Sequence, residues 1–128
     1  MDKKPTVLLI DDERDYCDLI EMHLSSISDF EVICAGTGKG GLKLAKRINP
    51  DIILLDIMMP GLDGFAVLEA LKKDDKTVAI PVIMLSGLDD DQARIKASQL
   101  YDETYITKPV DAHQLKAKIE EILKIRNR

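Results

Sequence analysis

The feature that most restricts the fold is an alternation of apolar segments, rich in β-branched residues, with segments of helical periodicity. This alternation is typical of βαβ units, which have right-handed crossovers and a parallel sheet. Three apolar segments hold four consecutive apolar residues, as expected of strands covered by helices on both faces. The sequence therefore predicts an α/β fold with a doubly wound, five-stranded parallel sheet and five helices. Strands are expected at 6–10, 30–35, 51–56, 80–85 and 103–107, and the two weaker helices at 64–73 and 90–100.

Length and charge narrow the functional class. A chain of 128 residues is expected to form one domain, and a net charge of −5 argues against direct nucleic-acid binding. No apolar stretch approaches the roughly 20 residues that a membrane-spanning helix needs, and none is typical of a signal peptide. Cys17 and Cys34 lack the spacing of metal or redox motifs, so we expect reduced thiols in a cytoplasmic protein.

Charged residues directly follow three of the predicted strands. Asp11 and Asp12 follow the first strand, Asp56 ends the third, and Lys108 follows the fifth. Residues just beyond the carboxyl ends of parallel strands line the ligand crevice of an open α/β sheet. If these strands are neighbours, three carboxylates and one ammonium meet there, and such a cluster is costly unless a cation balances it. Since magnesium prefers oxygen ligands, the pattern indicates a magnesium site around a reactive aspartate.

Each of these residues also has an ordinary explanation when it is considered alone. An acidic pair is often a solvated loop or a helix N-cap, and an exposed lysine is usually solvated. Asp56 is also a suitable first residue for the turn into Met59-Pro60-Gly61. Ser86, at the end of the fourth strand, is suited either to donating to a phosphoryl oxygen or to capping the next segment.

Taken together, four motifs resemble the receiver domain of bacterial two-component response regulators. The resemblance covers nearly all of residues 5–126 and implies a single receiver domain over 1–128. It also implies a flavodoxin-like sheet with the strand order 2-1-3-4-5. The motifs are Leu9-Ile10-Asp11-Asp12-Glu13, the stretch from Leu54 to Gly64, the stretch from Pro81 to Gly87, and Tyr105-Ile106-Thr107-Lys108-Pro109.

The resemblance assigns the chemistry of the site to particular residues. It implies that Asp56 is the phosphoacceptor. It further implies that Mg²⁺ is held by the carboxylates of Asp11, Asp12 and Asp56 and by the backbone carbonyl of Met58. The protein is then expected to be a regulatory phosphoacceptor and not an enzyme, with limited magnesium-dependent autophosphorylation and autodephosphorylation.

The same resemblance implies how the signal is transmitted and how long it lasts. Ser86 and Lys108 are expected to contact the phosphoryl group, and Ser86 and Tyr105 to change position together. Met58 and Leu88 occupy the positions that flank the path of the attacking water. Because neither side chain can orient or deprotonate a water, we expect a long-lived phosphorylated state.

The implied partners are a sensor histidine kinase or phosphotransfer protein, which supplies the phosphoryl group, and an output domain or downstream protein. Homodimerisation on phosphorylation is a further implication. Tyr101 and Asp102 stand where the family often has Gly-Ala, and Val110 stands where it often has Phe. These departures lie near a face that family members use for partners, so the dimerisation mode stays open.

Two other functions fit parts of the pattern. A magnesium-dependent phosphohydrolase would also use an aspartyl phosphate, but it typically has a second acid where this chain has Met58. A degenerate receiver that binds partners without phosphorylation would not need the complete set of Asp11, Asp12, Asp56, Ser86 and Lys108.

Overall fold

The computed structural model describes residues 4–87, 104–108 and 110–126. These residues form five strands and four of the five predicted helices, while the helix predicted over 90–100 lies outside them. None of the described helices is long and apolar enough to cross a membrane. The order along the chain is β1 (Thr6–Ile10), α1 (Arg14–Ile27), β2 (Glu31–Ala35), α2 (Gly38–Ile48), β3 (Ile52–Asp56), α3 (Gly64–Lys73), β4 (Val82–Ser86), β5 (Thr104–Thr107) and α4 (Ala112–Arg126).

All five strands belong to one parallel sheet with the order β2-β1-β3-β4-β5, which confirms the expected topology. β4 begins at Val82, two residues later than the predicted start at residue 80. The N–H of Ile80 donates to the carbonyl of Thr77 and closes a turn, while Pro81 has no N–H to offer a neighbouring strand. The carbonyl of Pro81 still accepts from Ile53, so the sheet pairing starts directly after this turn.

Two apolar clusters cover the two faces of the sheet. Val7 and Leu9 pack into the cluster that includes residues of α1 and α4, whereas Leu8 and Ile10 pack into the cluster that includes residues of α2 and α3. Successive strand residues point to opposite faces, so both sets must be apolar when both faces are covered. This double burial explains why β1 is apolar without interruption from Val7 to Ile10, directly before Asp11.

Candidate functional site

Three acidic side chains meet at the carboxyl edge of the sheet. One carboxylate oxygen from each of Asp11, Asp12 and Asp56 lies within 4.8 Å of the others. Asp11 and Asp56 are 1% and 4% exposed, whereas Asp12 is exposed to solvent. Two carboxylates of the cluster, those of Asp11 and Asp56, are therefore buried, and the cluster opens to solvent on the side of Asp12.

Asp11 is held by its neighbours on both sides. Its N–H donates to the carbonyl of Ala35 at 3.0 Å, which continues the pairing of β1 with β2 by one residue. Its carboxylate Oδ1 accepts from the N–H of Glu13 at 2.9 Å, which turns the chain into α1. Asp11 is thus neither a solvated loop residue nor the helix N-cap, which is Glu13, and its other oxygen, Oδ2, lies 2.7 Å from the Lys108 ammonium.

Asp56 also combines a turn role with a place in the cluster. Its Oδ1 accepts from the N–H of Met58 at 3.4 Å, and the loop closes where the N–H of Gly64 donates to Ile57 at 2.9 Å. A Cβ on Gly64 would collide with the main-chain carbonyl of Asp56, so only glycine lets α3 approach this closely. Asp63 caps α3 by accepting from the N–H of Ala66.

Lys108 supplies the positive charge of the site. Its Nζ lies 2.7 Å from Asp11 Oδ2, 3.3 Å from Glu13 Oε1 and 3.5 Å from Asp56 Oδ1. The side chain is only 14% exposed, and Nζ lies 4.5 Å from the centre of the Tyr16 ring, in cation–π contact. Lys108 is therefore not a solvated surface lysine, and in this state it binds Asp11 more closely than Asp56.

The electrostatics of the cluster are unbalanced. Burial raises the pKa of Asp56 to about 6, and the nearby charge of Asp11 acts in the same direction, against Lys108 and the Met58 N–H. Burial alone would lower the pKa of Lys108, but the hydrogen bond and charge of Asp11, together with Asp56, raise it. One ammonium thus faces three carboxylates, and Asp56 carries its negative charge at a cost.

The donor set fits Mg²⁺. Hard oxygen ligands, partial burial and an open side where water can complete the coordination are the features that this ion requires. The candidate ligands are Asp11, Asp12 and Asp56, and Met58 follows Asp56 by two residues on the chain. The Met58 side chain is 64% exposed and projects from the loop that follows β3.

Ser86 and Tyr105 lie on the neighbouring strands β4 and β5. Ser86 is completely buried, and its Oγ has no hydrogen-bond partner within the described part of the chain. A buried hydroxyl without a partner is costly, and it is therefore a good donor for an incoming oxygen. The Ser86 carbonyl accepts from the Lys108 N–H at 2.6 Å, so the two residues are tied through their backbones. Tyr105 is half-buried against the cluster beneath α2 and α3.

Two contacts of this site could not be predicted from the sequence, and one predicted site residue lies outside the described part of the chain. Tyr16 and Glu13 both contact Lys108, but in the sequence Tyr16 is one of several apolar residues on a helical face and Glu13 is a first-turn acid. Both contacts depend on the packing of the start of α1 against the residue that follows β5, and no local sequence pattern indicates this packing. Leu88, predicted to flank the water path, lies outside the described residues.

The chain is similar to characterised response regulators and to solved receiver domains. It is 36% identical to the DNA-binding dual master transcriptional regulator RpaA of Synechocystis over 120 residues, which are 94% of this chain and 49% of that protein. It is 38% identical to response regulator PleD of Caulobacter vibrioides over 120 residues, which are 94% of this chain and 26% of that protein. The chain thus spans about half, or less, of the length of these relatives.

Solved structures agree with this similarity. The receiver domain of the Francisella response regulator 1452 superposes with a TM-score of 0.83 at 32% identity, covering 98% of this chain and 100% of that one. A receiver domain protein from Methanospirillum hungatei superposes with a TM-score of 0.87 at 26% identity, covering 98% of both chains. The family model described as "Response regulator receiver domain" matches residues 7–120. This chain belongs to the response regulator receiver domain family.

Proposed function

We propose that this chain is the phosphoacceptor switch of a two-component phosphorelay and that Asp56 is the residue that becomes phosphorylated. One observation carries the proposal. Asp56 is a buried carboxylate at the end of the central strand β3, with Asp11 and Asp12 within 4.8 Å and the Lys108 ammonium at 3.5 Å. Placing two further carboxylates beside a buried aspartate is costly unless a cation is bound there. Magnesium prefers carboxylate and phosphate oxygens, so this arrangement suits phosphoryl transfer to Asp56.

In the proposed reaction, an Asp56 carboxylate oxygen attacks the phosphorus of a partner's phosphohistidine. The new O–P bond forms as the P–N bond breaks, and the histidine nitrogen leaves with the electron pair of that bond. The Met58 N–H, 3.4 Å from Asp56 Oδ1, helps to orient the carboxylate. Asp11, Asp12, Asp56 and the Met58 carbonyl would hold Mg²⁺, which when bound supplies charge neutralisation and alignment for the transfer.

The proposed switch uses Ser86, Lys108 and Tyr105. The Ser86 Oγ, which lacks a partner among the described residues, donates to a phosphoryl oxygen. Lys108 exchanges part of its contact with Asp11 for a second phosphoryl oxygen, and the movement of Ser86 leaves space for Tyr105. Since the Lys108 N–H is bonded to the Ser86 carbonyl, the two responses are coupled through adjacent strands. The phosphoryl group thereby favours the active member of two pre-existing conformations.

The proposed setting is cytoplasmic. A sensor histidine kinase or phosphotransfer protein supplies the phosphoryl group, and an output domain or downstream protein reads the altered surface. Homodimerisation on phosphorylation is compatible with this role, as are slow autophosphorylation and autodephosphorylation. The proposed single domain occupies 1–128, and its net charge of −5 is in line with no direct nucleic-acid binding. The proposal includes no membrane partner.

The test is phosphorylation of the purified chain by acetyl phosphate with Mg²⁺, followed by intact-mass measurement. We expect one added phosphoryl group in the wild type and none in Asp56→Asn, because an amide is not a comparable nucleophile. The matched control is Asp75→Asn, which changes an exposed acid in the loop after α3 and should label fully. Undiminished labelling of Asp56→Asn would refute the assignment of Asp56.

A further inference from the structure

Two cysteines lie beside the acidic cluster but take no part in the proposed mechanism. Cys17 on α1 is 2% exposed, and Cys34 on β2 is half-buried. Both are free thiols, both belong to the same apolar cluster, and both line one cavity of about 360 Å³ between α1 and β2. Interaction between the two thiols lowers the pKa of Cys34 and, together with burial, raises the pKa of Cys17. The structure therefore brings together two thiols that are 17 positions apart in the sequence.

The pair is connected to the main chain of Asp11 from two sides. The Cys17 Sγ lies 3.7 Å from the Asp11 carbonyl oxygen, within hydrogen-bonding distance for a thiol. On the other side, the Asp11 N–H donates to the carbonyl of Ala35, the residue next to Cys34. Asp11 and Asp12 also line the same cavity as the two thiols. A covalent change at the cysteines must consequently alter the packing around Asp11.

We propose that Cys17 and Cys34 form a reversible disulfide within the domain and that this bond weakens magnesium binding at Asp11. The first half concerns the thiols alone, whereas the second rests on the proposed function of the acidic cluster. The arrangement favours a division of labour. Half-buried Cys34 is accessible to an oxidant through the open cavity, and buried Cys17 is placed to react with it afterwards.

The oxidant that we assign is a peroxide. The Cys34 sulfur attacks one oxygen of hydrogen peroxide, the O–O bond breaks, and Cys34 becomes a sulfenic acid as one water leaves. The Cys17 sulfur then attacks the Cys34 sulfur, the S–O bond breaks, and a second water leaves. Overall, two thiols lose two electrons and two protons, and one peroxide is reduced to two waters. A thiol reductant reverses the bond by exchange.

The expected effect on the metal site follows from the contact with Asp11. A sulfur held in a disulfide carries no proton, so Cys17 can no longer donate to the Asp11 carbonyl. The cross-link also fixes α1 against β2 at the residues that flank the cluster. Losing one weak hydrogen bond beside a metal ligand should lower the Mg²⁺ affinity by about two- to tenfold.

The test begins with the reduced wild-type chain treated with a small excess of hydrogen peroxide. Intact mass should fall by two hydrogens, and non-reducing peptide mapping should link Cys17 to Cys34, with dithiothreitol restoring both thiols. Mapping the wild type avoids reliance on Cys17 variants, which alter a buried position. Persistence of two thiols, separate oxidation to sulfinic acids, or a disulfide between two chains would each overturn the proposal.

The second arm measures Mg²⁺ affinity of the reduced and oxidised chain by calorimetric titration. Cys34→Ser is the control, and peroxide should leave its affinity unchanged. A disulfide that forms without a change in affinity would overturn the link to Asp11. Failure of the reduced chain to bind Mg²⁺ or to accept phosphate would instead refute the proposed function, whatever the cysteines do.

Discussion

Removing the charge of Asp56 should stabilise the metal-free protein, and by an amount that increases with pH. Asp56→Asn keeps an oxygen that can accept from the Met58 N–H and lie near Lys108, so the main loss is the buried negative charge. Raising the pKa from 3.8 to about 6 corresponds to at most about 3 kcal/mol, at about 1.4 kcal/mol per pKa unit. This group therefore opposes folding whenever it is ionised.

The sign follows from proton binding in the two states. Between pH 3.8 and about 6 the folded protein binds more protons at Asp56 than the unfolded chain, because burial and Asp11 raise the folded-state pKa. The free energy of unfolding contributed by this residue consequently falls as pH rises through that window. Asp56→Asn should exceed the wild type by about 1 kcal/mol at pH 4.5 and by about 3 kcal/mol at pH 8.

The assay is urea unfolding at several pH values with a chelator present, comparing midpoints at equal m-values. Asp29→Asn, which changes an exposed acid in the α1–β2 loop, is the matched control and should shift stability by less than about 0.5 kcal/mol. Added Mg²⁺ should narrow the difference between Asp56→Asn and the wild type, since the ion stabilises only the chain that binds it well. If the difference does not grow with pH, Lys108 already balances the cluster and our electrostatic account is wrong.

Three further outcomes test individual contacts. Tyr16→Leu removes the ring under Lys108 and should slow phosphorylation by acetyl phosphate about fivefold, equivalent to about 1 kcal/mol. Tyr16→Phe keeps the ring and should retain most of the rate. Equal rates for both variants would contradict a positioning role of Tyr16. Gly64→Ala should lower stability by about 1–3 kcal/mol in thermal or urea unfolding, because its Cβ would collide with the Asp56 carbonyl. Met58→Asn should shorten the lifetime of the phosphorylated protein, measured by intact mass over time, since an amide can orient the attacking water; an unchanged lifetime would show that Met58 does not control water access.

The strand ends could be located from the sequence because Asp11 and Asp56 directly follow buried apolar runs, and Lys108 directly follows the half-buried strand β5. Asp11, Asp56 and Lys108 were placed at one edge on that basis, and the structure brings them together. The closer pairing of Lys108 with Asp11 could not be predicted, since three carboxylates lie within reach and only the side-chain geometry decides among them. The beginning of β4 was wrong by two residues because Ile80 is as apolar as a strand residue, yet its N–H is used in a turn.

The contacts of α1 with its surroundings were beyond sequence reasoning for a different reason. Tyr16 and Cys17 look like ordinary residues of a packed helical face. The contact of Tyr16 with Lys108 and the cavity that Cys17 shares with Cys34 both depend on how α1 lies across the sheet. Such contacts join residues that are distant in the chain, and no local pattern records them. A single sequence therefore predicts which residues end the strands more readily than which side chains surround them.

The position of β3 between β1 and β4 has a consequence for hydrogen exchange. A strand paired on both sides and covered on both faces opens only when much of the domain unfolds, so its amides should exchange most slowly. β5 is an edge strand of four residues, paired only with β4 among the described strands, and its amides should exchange faster through local opening. Asp56 thus belongs to the strand that is expected to open least, while Ser86 and Lys108, the proposed switch residues, adjoin an edge strand that is expected to open more readily. Protection factors along β3 and β5 would measure that contrast directly.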